Sequence, residues 1–154
     1  MSREAIADSI EGRLNQLIEA WTLAVRNDPR IESDANLSKP ELVDHVPAMV
    51  QEICELIRND ETPDVRNSHE ARVNVYTRFN QGYKGRDLVG ELSLLRITML
   101  DYLMGVSLDE STRISADDRA RSAMILNLYL DEEMRYAISV YSSQPTDSQP
   151  KAGS

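Results

Sequence analysis

Cysteine is nearly absent from this chain of 154 residues, Cys54 standing alone. No intrachain disulfide can form, and a reducing compartment is expected. Flanked by Ile53 and Leu56-Ile57 in a helical pattern, Cys54 reads as a small buried apolar residue, not a reactive thiol. Histidine is almost as scarce, with His45 and His69 far apart and no local ligand spacing, so a metal centre is not expected. The neighbours of His69 (Asn67, Ser68, Glu70, Arg72) are polar for an axial haem ligand, and His45 suits a structural hydrogen bond near Pro47. Basic residues are outnumbered, 17 against 26, giving a net charge of -9. That balance argues against a nucleic-acid surface and against an anionic membrane. No apolar run approaches the roughly 20 residues of a bilayer span. The start, Met1-Ser2-Arg3-Glu4, lacks a signal peptide's apolar stretch, so a cytoplasmic address is the expectation.

Catalytic patterns are missing as well. Gly82, Gly85 and Gly90 follow a helix and are wrongly spaced for a phosphate loop. No nucleophile elbow exists, and Ser68 and His69 are helix neighbours pointing about 100° apart. Glu-x-x-His, the signature of a carboxylate-bridged metal pair in bundles, does not occur. Asp131-Glu132-Glu133 reads as a solvated face. Enzyme activity and a cofactor are therefore not expected.

What the chain does have is helical periodicity. Ile6, Ile10, Leu14, Leu17, Ile18, Trp21 and Val25 step by threes and fours, predicting one helix from residue 2 or 3 to about 27, ended by Pro29. A polar linker runs to Asn36. Ser38 and Glu41 are spaced as a capping box, with Leu37 and Leu42 as its staple, for a short helix over 39–45. Pro47 predicts a kink or fresh start running on to Arg58. Further helices are expected over 64–81, 86–104 and from an N-cap at Ser115, with a loop over 106–114. No strand alternation appears. The fold class is all-α, a single helical-bundle domain over 1–141. Residues 142–154 read by composition as a disordered linker or tail, either the tether of an input module or an ordinary frayed C-terminus.

The stretch from Ser68 to Leu103 is the centre of this organisation. On its first helix His69, Arg72, Tyr76 and Phe79 share one face. Its second is apolar on most sides yet holds Glu91 and Arg96, which must find partners or reach water. His69, Arg72, Tyr76, Glu91 and Arg96 are thus the candidate ligand-binding or switch residues. Arg72 is expected to pair with Glu91, Arg96 to reach a carboxylate or an anion, and His69 to titrate near neutrality beside them. A structural salt bridge that fixes helix register is the preferred reading of this cluster, and a sensing element is the sharper one. A small-molecule pocket near Tyr76, Phe79 and Tyr83 is a further reading.

Several strings, in order, carry a resemblance: Trp21 with Asn27-Asp28-Pro29; Leu37-Ser38 and Glu41 to Pro47; His69-Glu70-Ala71-Arg72; Gln81-Gly82-Tyr83; Leu88-Val89-Gly90-Glu91; Leu94-Leu95-Arg96; Asp131 to Tyr141. Together they resemble the RsbRD N-terminal-type domain, the helical input domain of stressosome co-antagonists that is also found ahead of bacterial sensor histidine kinases. The resemblance spans about residues 10 to 141. It implies an all-helical, globin-related domain without haem. Such a domain is dimeric and non-enzymatic, and relays a signal to a C-terminal output module or partner protein. Members often carry His-Gly before the arginine, where this chain has His69-Glu70, so no close backbone approach is carried over there. For the homodimer, the stripes Ile6, Ile10, Leu14, Leu17 and Leu130, Met134, Ile138, Tyr141 are the expected interface.

Overall fold

A computed structural model describes residues 2–105 and 114–143. The expected loop over 106–114, Ile114 excepted, and the expected linker from residue 144 onward lie outside the described residues. Seven α-helices account for most of what is described: α1 Ser2–Gly12, α2 Leu14–Asn27, α3 Lys39–Val43, α4 Val46–Asn59, α5 His69–Asn80, α6 Gly85–Gly105 and α7 Ala116–Ser142. Short 3₁₀ turns at Ser33–Asn36 and Val65–Asn67 join them, and no strand occurs among the described residues. The all-α class stands.

Local chemistry sets most boundaries. Ser38 caps α3 with both arms of the box formed: the Glu41 N–H donates to Ser38 Oγ at 3.3 Å and the Ser38 N–H to Glu41 Oε1 at 2.7 Å. Pro47 sits in the first turn of α4, where its missing N–H costs nothing, so the chain restarts there after Asp44 and His45. Ser115 caps α7, its Oγ accepting from the Asp118 N–H at 3.0 Å. Gly82 takes φ +81 just past the end of α5, a conformation that a side chain would strain.

Two expected helices are broken. The first is interrupted at Arg13 (φ -117, ψ 21), directly after Gly12. The break lets α1 lie on α4 while α2 lies on α6. The helix expected over 64–81 begins only at His69, because Asp64 and Asn67 close their own capping box around a separate turn. There the carboxylate of Asp64 accepts the Arg66 and Asn67 N–H groups, and Asn67 Oδ1 accepts the Asp64 N–H.

One continuous core holds the helices together. Trp21, Met49, Ile53, Leu88, Leu95, Met99, Tyr129 and Leu130 are all essentially inaccessible. Cys54 is buried among them, and burial pushes its thiol up to about 12, so it is inert at neutral pH. α7 touches α1, α4, α5 and α6. The stripe on it that faces them is Ser122, Ile125, Leu126, Tyr129, Leu130, Glu133, Ala137 and Val140.

Candidate functional site

The interior is not wholly apolar. On α5 the residues that turn inward are Ala71, Asn74, Val75 and Arg78, spaced three, one and three apart. Arg78, in the last turn, is completely enclosed. Its Nε donates to Glu91 Oε1 on α6 at 3.0 Å, and Nη2 donates to the Leu42 carbonyl at 2.5 Å. Nη1 reaches the Glu41 carbonyl at 3.3 Å and Gln81 Oε1 at 2.9 Å. The guanidinium also lies 4.9 Å from the centre of the Tyr83 ring. One arginine thereby ties the end of α3, the end of α5 and the start of α6 together.

Glu91 is equally enclosed. Its second oxygen accepts from the Tyr83 hydroxyl, and its backbone carbonyl accepts from Trp21 Nε1 of α2 at 3.1 Å. Burial pushes the Glu91 carboxyl up to about 7, against the downward pull of the Arg78 charge and of both hydrogen bonds. One turn earlier on α6, Asp87 is buried with a different solution. Its Oδ2 accepts from Ser33 Oγ at 2.6 Å, from the Ser33 N–H at 3.0 Å and from the Glu32 N–H at 3.3 Å. Burial raises this carboxyl, but the bonds from Ser33 and Glu32 outweigh it and the group lies below its ordinary value.

A second polar layer lies between α5, α4 and α7. Glu133 of α7 is buried, and Oε2 accepts from Asn74 Nδ2 at 2.9 Å. Glu133 Oε1 and Asn74 Oδ1 have no partner. Burial pushes the Glu133 carboxyl up to about 8, helped by Glu91 and Glu52 and opposed by Asn74 and Arg78. Above it the Tyr129 hydroxyl donates to Glu52 Oε1 at 2.5 Å, and the same oxygen accepts the Glu70 N–H at 3.0 Å. Glu133 also lines a cleft of about 240 Å³ between α5 and α7, together with Ser68, Ala71, Arg72, Tyr136 and Ser139.

The candidates read from sequence are not gathered into one cluster. Glu91 is interior as expected, but its partner is Arg78 and not Arg72. Arg72 lies one residue round from the buried face, half-buried, with Ser68 Oγ at 3.4 Å from Nη1. His69 is exposed, well away from the Arg78–Glu91 pair that it was expected to flank. Tyr76 is exposed too, its ring edge-on to Tyr136 of α7 at 5.8 Å. Arg96 is half-buried and reaches α7, donating to Asp131 Oδ1 at 2.7 Å and Asn127 Oδ1 at 2.9 Å. The three rings expected to share a pocket diverge: Phe79 packs edge-on against Tyr141 at 5.1 Å, and Tyr83 is buried on Glu91. His45 is half-buried, with Nε2 at 3.5 Å from Asp44 Oδ2.

Sequence reasoning missed Arg78, Asn74 and Glu133, and only Glu133 had a clear signal. Glu133 continues the stripe Leu126, Tyr129, Leu130 at the step of three, so it was not part of a solvated face as its acidic neighbours suggested. Asn74 and Arg78 stand four apart with Val75 beside Asn74, on a stripe disguised by polarity. The expected dimer stripes are also corrected. Ile6, Ile10, Leu17 and Leu130 are consumed inside the chain, and of those named only Ile138 is well exposed. No described group of His, Cys, Asp and Glu is arranged to hold a metal ion. No described helix is long and apolar enough to cross a membrane. Comparison with known protein families, with curated proteins and with solved structures returns no match to this chain.

Proposed function

We propose that this chain is a non-enzymatic regulatory input domain of a bacterial signalling protein, of the histidine-kinase or stressosome type suggested by the ordered strings quoted above. In this reading it acts as a homodimer and passes its state to a C-terminal output module or partner protein. The observation that carries the reading is Glu133. A buried carboxylate without a counter-charge is costly, and this one sits on the helix that touches α1, α4, α5 and α6. Any event that supplies or removes charge at Glu133 changes the balance of forces along the whole of α7. By contrast Arg78 and Glu91 satisfy each other and hold α3, α5 and α6 in register, the structural role preferred for the buried pair.

A small-molecule binding domain is the second reading, and the cleft between α5 and α7 favours it. Haem is not favoured, since His69 is exposed and His45 is engaged with Asp44.

The test is a chimera in which this chain replaces the input domain of a bacterial histidine kinase, with autophosphorylation as the readout. Glu133→Gln removes the buried acid while keeping its shape. It is expected to shift basal kinase activity severalfold, whereas Arg135→Gln on the exposed side of the same helix leaves it unchanged. Equal activity of all three chimeras discards the relay reading.

A further inference from the structure

The cleft between α5 and α7 is lined by two ionisable groups with unused bonding capacity, one on each wall. On the α5 wall Arg72 forms no ion pair among the described residues, its one side-chain hydrogen bond there going to Ser68 Oγ at 3.4 Å. On the α7 wall Glu133, 1% exposed, keeps one oxygen without a donor. The other charged residues at the rim, Glu132 and Arg135, are 3.6 Å apart and answer each other. The rest of the lining is Val65, Ser68, Ala71, Tyr136 and Ser139. A space of about 240 Å³ takes a compact guest on the order of ten non-hydrogen atoms at interior packing density.

We propose that this cleft binds a small zwitterionic amino acid, its carboxylate held by Arg72, its ammonium directed to the free oxygen of Glu133, and its apolar side chain against Ala71, Val65 and Tyr136. A guanidinium matches a carboxylate in a two-toothed geometry, and an ammonium supplies the donor and the charge that Glu133 lacks. Neither a simple anion nor a simple amine answers both walls. The groups facing Glu133 from the surrounding helices are Asn74 and Arg78 of α5, Glu52 of α4, Glu91 of α6 and Tyr129 of its own helix. Arg78 is already committed to Glu91, so no free cation among the described residues serves Glu133. With burial holding Glu133 near 8, the acid is neutral in the empty cleft at pH 7, and the incoming ammonium displaces its proton. Binding therefore releases one proton, and affinity rises by about tenfold per pH unit below pH 8 and levels off above it.

The experiment is titration calorimetry on the whole chain with valine, leucine, isoleucine and methionine. For the tightest of these, the decarboxylated amine and the deaminated acid are titrated alongside; for leucine these are 3-methylbutylamine and 4-methylpentanoate. The amino acid is expected to bind at least about tenfold more tightly than either fragment. Arg72→Met is expected to bring it down to the amine, and Glu133→Gln to bring it down to the acid. Arg72 is half-buried and glutamine keeps the shape of Glu133, and circular dichroism checks that each variant is folded. Heat measured in buffers of different ionisation enthalpy should report the released proton. The proposal is overturned if no amino acid binds at millimolar concentration, if a fragment binds as tightly as its parent, or if either variant retains full affinity. Binding is read on the chain alone, so its failure leaves the relay reading standing, and silent chimeras leave this one standing.

Discussion

Arg78 spends all three of its nitrogens on partners inside the protein: a carboxylate, two backbone carbonyls and an amide oxygen. Removing it strands Glu91, so Arg78→Met is expected to destabilise the chain by about 3–5 kcal/mol in urea denaturation. The double variant Arg78→Met with Glu91→Leu should recover most of that loss; a double variant as unstable as the single one contradicts the pairing. Glu133 calls for the opposite experiment. Its carboxyl is raised to about 8 in the folded chain against an ordinary value of 4.5, so the folded state holds the proton more tightly than the unfolded state. Its contribution to stability is complete below pH 4.5, declines as pH rises, and is exhausted above pH 8. Unfolding free energy should therefore fall between pH 5 and pH 8, by something on the order of 4 kcal/mol from this group alone. In Glu133→Gln that fall should flatten. A wild-type curve that rises over this window contradicts the buried neutral acid.

At the scale of elements, the kink between α1 and α2 poses the clearest question. Gly12 precedes the break, yet its backbone needs no positive φ and a Cβ there would meet nothing within 4 Å. The break therefore belongs to docking, α1 onto α4 and α2 onto α6, and not to glycine's freedom. Gly12→Ala is expected to raise stability by about 0.5–1 kcal/mol, measured as an upward shift in melting temperature. A drop would mean that the kink depends on the glycine. Element ends were the most legible part of the sequence, because caps act over three or four residues: Ser38 with Glu41, Pro47, Gly82 and Ser115 all behave as read. The inward face of α5 was not legible. Ala71, Asn74, Val75 and Arg78 lie about 100° round from the face chosen on His69, Arg72, Tyr76 and Phe79. Nothing within α5 distinguishes them. The distinction comes from Glu91 and the Leu42 carbonyl, which wait on other elements for a guanidinium.

For the whole molecule, burial inside the chain redirects the proposed dimer. Most of the stripes expected to pair is taken up by the core, and the exposed apolar residues include Val89, Ile97 and Met104 on α6, seven or eight residues apart, with Leu23 on α2 and Met124, Leu128 and Ile138 on α7. Such a spacing keeps the three α6 residues on one face. If the proposed homodimer uses this face, Ile97→Glu should convert a dimeric mass to a monomeric one in light scattering, and Ile138→Glu on α7 should not. A mass equal to one chain for the unsubstituted protein removes the dimer from the proposal.

The sequence by itself determined the all-α class and the boundaries set by Ser38, Pro47, Gly82 and Ser115, because periodicity and capping are local properties. Only the tertiary structure decided which arginine meets Glu91, that Glu133 is enclosed without a cation, and that α5 and α7 leave a cleft beside it. Those outcomes depend on which faces of distant helices meet. A side chain's partner is chosen by packing across the core, where an interior charge must take whatever the neighbouring elements present.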